Sequence, residues 1–172
     1  MSNRKIDYEI YFWIFPNNYI LYYMCEWIEN YFTEGEYDLK ADLIPTCVYP
    51  NGDVRTGKVK IKKYYECGNP KKFLSCQIKS ESNVQSSLQS FSSDCLWSFT
   101  SSIGTNLVGN IKLCKGKIIV CGKGYSPNLG KNIKLKVVTE KTPTGFTEYL
   151  YFLNDNKKWQ LFSTRINTKI LS

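Results

Sequence analysis

The hydrophobic period of this chain changes once. Over residues 18–33 the apolar residues Ile20, Met24, Trp27, Ile28 and Tyr31 recur at helical spacing. That spacing predicts one helix with an apolar face laid on a core. Residues 1–17 precede it as an extended aromatic arm, broken by Pro16-Asn17-Asn18. From residue 37 onward the period drops to two. Alternation marks strands over residues 37–48, 54–65, 73–79, 95–101, 106–114, 117–122, 132–140, 147–153 and 159–167. Turn chemistry separates them: Pro50-Asn51-Gly52-Asp53, Gly68-Asn69-Pro70, Thr142-Pro143-Thr144-Gly145 and Asn154-Asp155-Asn156. Residues 80–93 (SESNVQSSLQSFSS) are rich in Ser and Gln and read as a loop or ragged edge.

One helix followed by about nine meandering strands, with a turn every eight to twelve residues, predicts a mostly β fold. The plan that suits it best is a closed antiparallel up-and-down barrel of the lipocalin or calycin kind, with an N-terminal helix. All 172 residues are assigned to one domain, with the barrel over residues 37–170. The apolar stretch at 8–32 contains Glu9, Glu26 and Glu29. It lacks the run of ~18 apolar residues that a membrane span needs.

Composition sharpens this picture in three places. Aromatic residues make up 15% of the chain, which fits a strand-rich core or an aromatic-lined cavity. The net charge is +8, yet residues 1–39 carry seven acids against Arg4 and Lys5, so the rest of the chain is strongly basic. Lysine dominates that charge and often alternates with apolar residues, as in Lys58-Val-Lys60-Ile-Lys62, the pattern of a solvated strand face. Only Arg4, Arg55 and Arg165 supply the guanidinium forks that nucleic-acid readers favour, so a nucleic-acid partner is not expected. There is no histidine, which removes the usual general base and His-assisted nucleophiles. The seven cysteines form no Cys-x-x-Cys pair, so no metal site is expected. They read as free, mostly buried thiols of a reducing compartment, Cys114 and Cys121 among them.

The candidate chemistry sits near the C-terminus. Glu148 precedes Lys158 by ten residues across the Asn154-Asp155-Asn156 turn. If facing strands bring the two together, they hold a polar ligand.

Three stretches resemble the S-type phycobiliprotein lyases. Residues 24–37 (MCEWIENYFTEGEY) resemble that family's opening helix, which ends in Gly-x-aromatic. Residues 116–125 (GKIIVCGKGY) resemble a strand closing on Gly-Tyr. Residues 135–140 (LKVVTE) and 148–156 (EYLYFLNDN) resemble the apolar strand ending in Thr-Glu and the Glu-led segment before a turn. The resemblance implies a lipocalin-like barrel that binds a linear tetrapyrrole (bilin), phycocyanobilin or phycoerythrobilin, and assists its attachment to a cysteine of an apo-phycobiliprotein subunit. On that reading the activity is a bilin lyase, with no cofactor beyond the bilin substrate. The site is a plastid stroma or cyanobacterial cytoplasm, and a homodimer is left open. Glu148 polarises or protonates the bilin as the catalytic residue. Lys158, standing where the family has Arg, and Lys40 hold its propionates, while Trp97, Tyr125, Tyr151 and Trp159 stack on its rings. Gln160 replaces a second family Arg. Two other readings stand beside it: a calycin-type carrier of another apolar anion with no enzymatic role, and a viral or host interaction protein that docks through its aromatic arm.

Overall fold

The computed structural model describes residues 26–47 and 49–171. After a short helix α1 (Glu26–Tyr31) come ten strands: β1 (Gly35–Leu43), β2 (Asp53–Glu66), β3 (Lys72–Ser82), β4 (Ser86–Ser92), β5 (Leu96–Ser101), β6 (Asn106–Cys114), β7 (Lys117–Ser126), β8 (Lys131–Thr142), β9 (Gly145–Leu153) and β10 (Trp159–Lys169). Each strand pairs antiparallel with its neighbours in sequence, and β1 pairs with β10, so the sheet closes into an up-and-down barrel without a free edge. The expected fold class holds, with ten strands in place of about nine.

The extra strand is β4, in the Ser/Gln-rich stretch read as loop. Ser87, Gln89 and Phe91 point inward, with Leu88 and the other serines on the outer side or at half-exposed positions. The inward set is mostly polar, so the alternation carried no hydrophobic signal. The predicted helix is described only from Glu26, and its first eight residues, with the arm, lie outside the described residues.

Alternation decides the interior. On β1 the buried residues are Tyr37, Leu39, Ala41 and Leu43, with Glu36, Asp38 and Lys40 outside. The two ends of the barrel then differ. One end is filled: Ile28, Tyr31 and Phe32 of α1 and its following turn enter it and meet Phe91 and Phe146, whose rings lie 5.2 and 5.5 Å from that of Phe32. The Tyr31 hydroxyl shares its one proton between the carbonyls of Thr139 (2.8 Å) and Gly116 (3.1 Å), and that of Tyr37 donates to the Thr33 carbonyl (2.7 Å). These bonds satisfy the polar ends of buried rings, as burial requires. The opposite end, where the β1–β2, β3–β4, β5–β6, β7–β8 and β9–β10 turns gather, is the one that stays hollow.

Trp97 of β5 sets the depth of the hollow. Its neighbours across the sheet are Gly109 on β6 and then Gly122 on β7. A Cβ on Gly122 would lie 2.6 Å from the indole ring. Gly122 therefore clears the space that the indole occupies two strands away, while a Cβ on Gly109 would meet the β7 backbone at Cys121.

Candidate functional site

The lumen above Trp97 holds a cavity of about 90 Å3, continuous in its lining with a smaller one of about 40 Å3; Tyr49, Gln85, Phe162 and Arg165 border both. The larger arm is apolar, walled by Trp97, Phe99, Leu107, Leu135, Leu150 and Phe152. Trp97 and Phe99 stack with ring centres 6.1 Å apart. The smaller arm is the more polar of the two, with Arg55, Arg165, Ser80, Ser82, Ser87 and Ser163 beside Leu39, Ala41 and Leu43.

Glu148 lines the larger arm. It is 2% exposed and points inward from β9 between Phe146 and Leu150. Its Oε1 accepts a hydrogen bond from Gln89 Nε2 at 2.8 Å, and Gln89 Oε1 accepts one from Trp97 Nε1 at 3.0 Å. The indole N–H can only donate, which fixes the Gln89 amide with its oxygen toward Trp97 and its NH2 toward the carboxyl. Gln89 thus presents a donor to Glu148, and the chain Trp97–Gln89–Glu148 spans the lumen.

The residue facing Glu148 on β10 is Arg165, not Lys158. A β-bulge between Leu161 and Ser163 causes this. Nearer the turn, Leu153 pairs with Trp159 and Tyr151 with Leu161; past the bulge, Leu150 pairs with Ser163 and Glu148 with Arg165. Without the extra residue Thr164 would face Glu148, and Arg165 would point outward. Re-aiming a side chain is a recurrent use of a bulge. Arg165 lines the cavity, and among the described residues no carboxylate lies within 4.0 Å of it. Two strands on, Arg55 occupies the same row: Ala41 pairs with both arginines and its methyl leaves room between them. Arg55 is tied by its Nε to Asp53 Oδ2 at 3.2 Å and lies over the Tyr49 ring at 5.3 Å. Among the described residues, Ser163, 1% exposed and bordering the smaller arm, has no hydrogen-bond partner for its hydroxyl, and the buried Asn167 amide on the same strand has none either. Buried groups of this kind are rarely left unpaired.

Two of the seven sequence candidates share the lumen, Glu148 and Trp97. Lys158 is exposed in the β9–β10 turn, where its N–H donates to Asn154 Oδ1 at 3.0 Å. Lys40 points outward from β1, 3.9 Å from Asp42. Tyr125 is 50% exposed on the outer wall. Tyr151 and Trp159 are also outside, under the Lys136 ammonium at 4.6 and 5.1 Å. The expected apposition of Glu148 and Lys158 is therefore corrected to Glu148 and Arg165. The thiols are corrected too. Among the described residues, Cys47, Cys67, Cys114 and Cys121 are exposed and free, Cys76 is free and buried, and Cys95 is disulfide-bonded. Burial pushes the Cys76 thiol up to about 12.

Sequence reasoning missed Arg165, Arg55, Gln89 and Ser163. The rarity of arginine was a usable signal, since both described arginines border this one cavity. Gln89 was hidden in the stretch read as loop. Among the described residues, no helix is long and apolar enough to cross a membrane.

The fold and its lumen define a closed ten-stranded antiparallel barrel with a buried aromatic cluster, compatible with the lipocalin or calycin plan. In comparison with known proteins, the chain matches no family model, no curated protein and no solved structure. Of the resemblance to bilin lyases, the barrel plan is what the fold supports.

Proposed function

We propose that the barrel is a carrier for a small amphiphile, with its apolar body in the arm floored by Trp97 and its anionic group on Arg165. The observation that carries this reading is Arg165 itself: a guanidinium turned into the lumen by a bulge, unpaired among the described residues and flanked by the partnerless Ser163 hydroxyl. Charge-assisted hydrogen bonds to such a group contribute about 1.5–3 kcal/mol, or roughly 10- to 100-fold in affinity. Glu148 beside it favours a ligand that also carries a donor, a hydroxyl or amine, near its anion. No nucleophile or base needs to be assigned for this role.

The bilin-lyase reading draws support from Glu148 and Trp97, which share the lumen. Size weighs against it. Drug-sized ligands occupy pockets of roughly 300–1,000 Å3, and a linear tetrapyrrole is at the large end of that class, whereas the larger arm measures about 90 Å3. A bilin would have to remain largely in the mouth.

Titration with octanoate and phenylpropionate, and with their uncharged amides, followed by tryptophan fluorescence and calorimetry, tests the carrier. The expected result is saturable binding of the acids, weaker binding of the amides, and a 10- to 100-fold loss in Arg165→Gln. Equal affinity for acid and amide, unaltered by Arg165→Gln, would overturn it. A parallel titration with phycocyanobilin and phycoerythrobilin reads the second proposal: a saturable red shift lost in Glu148→Gln supports a bilin site, and no spectral change refutes it.

A further inference from the structure

The outer wall of the barrel is charged in two different ways. On the β1–β3 side, three lysines are matched by carboxylates, Lys58 with Asp38, Lys60 with Glu36 and Lys79 with Glu81, while Lys62 has none within 4.0 Å among the described residues. The first two pairs sit at directly opposed positions of β1 and β2. On the β7–β8 side one such pair, Lys117 with Glu140, stands near the plugged end, and toward the mouth the matching thins. Lys123 lies directly opposite Lys134, and Lys136 lies opposite Cys121 on one side and Tyr151 on the other. Among the described residues none of the three has a carboxylate within 4.0 Å. Like charges placed directly across a strand pair destabilise a sheet. The β9–β10 turn beside this wall adds exposed Lys157 and Lys158, and the one carboxylate there, Asp155, is taken by Lys131 at 3.2 Å. Aromatic rings lie among these cations: Tyr125 is exposed, Trp159 is 39% exposed, and Lys136 covers both Tyr151 and Trp159.

We propose that this wall docks on an anionic lipid surface, setting the open mouth of the barrel against it. Four features select that occupant. The wall is the convex outside of a barrel, and a single nucleic-acid strand is held in a groove. The cations are lysines, point charges suited to a diffuse negative surface and lacking the fork that selects individual phosphates or carboxylates. Tyr and Trp have the apolar body and polar tip that favour the headgroup level of a bilayer. Lys157 and Lys158 belong to the same end of the barrel as the cavity mouth, so the charge faces where an apolar ligand would enter or leave. The docking depends on the outer charges alone, so it is measured with the lumen empty, and its failure leaves the carrier reading intact.

Co-flotation with vesicles of phosphatidylcholine, with and without phosphatidylserine, tests it. Two variants remove equal charge from opposite walls: Lys123→Gln/Lys134→Gln/Lys136→Gln and Lys58→Gln/Lys60→Gln/Lys79→Gln. The wild-type chain is expected to float with phosphatidylserine vesicles only, and to be released as salt rises. The β7–β8 variant should lose roughly 100-fold in binding, and the β2–β3 variant should keep most of it. The first variant relieves a like-charge pair and gives up the Lys136 ammonium over Tyr151 and Trp159, opposing effects that should leave its unfolding midpoint close to that of the wild type. That rules out misfolding as the cause of lost binding. Absence of binding to phosphatidylserine vesicles, or equal loss in both variants, overturns the proposal. So does capture of oligothymidylate or polyglutamate by a protein that leaves the vesicles unbound.

Discussion

Replacing Gln89 by Leu tests the polar bridge across the lumen. The substitution keeps the size of the side chain and removes both its hydrogen bonds. Trp97 Nε1 then loses its acceptor at 3.0 Å and Glu148 Oε1 its donor at 2.8 Å. An unpartnered buried neutral group costs about 1–3 kcal/mol, and a carboxylate costs more. Together the two orphans are expected to cost about 3–5 kcal/mol, a large part of the ~5–15 kcal/mol that holds a domain folded. At roughly 2–4 °C per kcal/mol for a chain of this size, the melting temperature should fall by ~10 °C. The informative experiment is a cycle. Gln89→Leu/Glu148→Leu removes the stranded carboxyl along with its donor, and replacing both partners by apolar groups is close to neutral. Adding Trp97→Phe removes the last orphan. Urea unfolding of the single, double and triple variants should therefore show stability returning as more of the bridge is deleted. Losses that simply add, or a Gln89→Leu cost below ~0.5 kcal/mol, would refute the bridge as a coupled unit.

Other consequences are open to the same kind of measurement. Gly122→Val places a side chain where a Cβ already comes within 2.6 Å of Trp97; a loss of about 1–3 kcal/mol in urea unfolding is expected, partly recovered by Trp97→Phe. Phe32→Ala empties the plugged end and should cost about 3–5 kcal/mol, read by thermal melting. Burial raises the Cys76 thiol to about 12 and also pushes up the Tyr31 and Tyr37 phenols. Above pH ~8.5 the unfolded chain therefore releases protons that the folded chain retains, and stability falls as pH rises toward 12. Cys76→Ala should flatten that fall, measured as urea midpoints against pH. Iodoacetamide on the native protein should modify Cys47, Cys67, Cys114 and Cys121 and spare Cys76, read by peptide mass spectrometry.

The barrel was legible in the sequence because a period of two is a local property. Each strand declares its inward face through residues such as Leu39 and Ala41 or Leu135 and Val137, and the Gly, Pro and Asn turns declare where it ends. β4 escaped because its inward residues Ser87 and Gln89 are polar, which alternation cannot distinguish from an exposed edge. The placement of Glu148 and Trp97 on the inner faces of β9 and β5 follows from that local rule.

Which residues meet inside was decided by register and closure, and these are not local. A ten-residue spacing suggested Glu148 with Lys158, yet a five-residue turn and one bulged position put Arg165 across from it and left Lys158 in solvent. Gln89 reaches Glu148 over 59 positions of sequence only because the sheet curls through half a circle between β4 and β9 and sets them on opposite sides of the lumen. The pairing of β1 with β10 likewise sets Arg55 and Arg165 on either side of Ala41. A shift of one residue in any of these ladders would send a whole row of side chains to the other face. The sequence by itself determined the strands and their two faces, whereas the tertiary structure, through one bulge and one closing ladder, decided what the lumen contains.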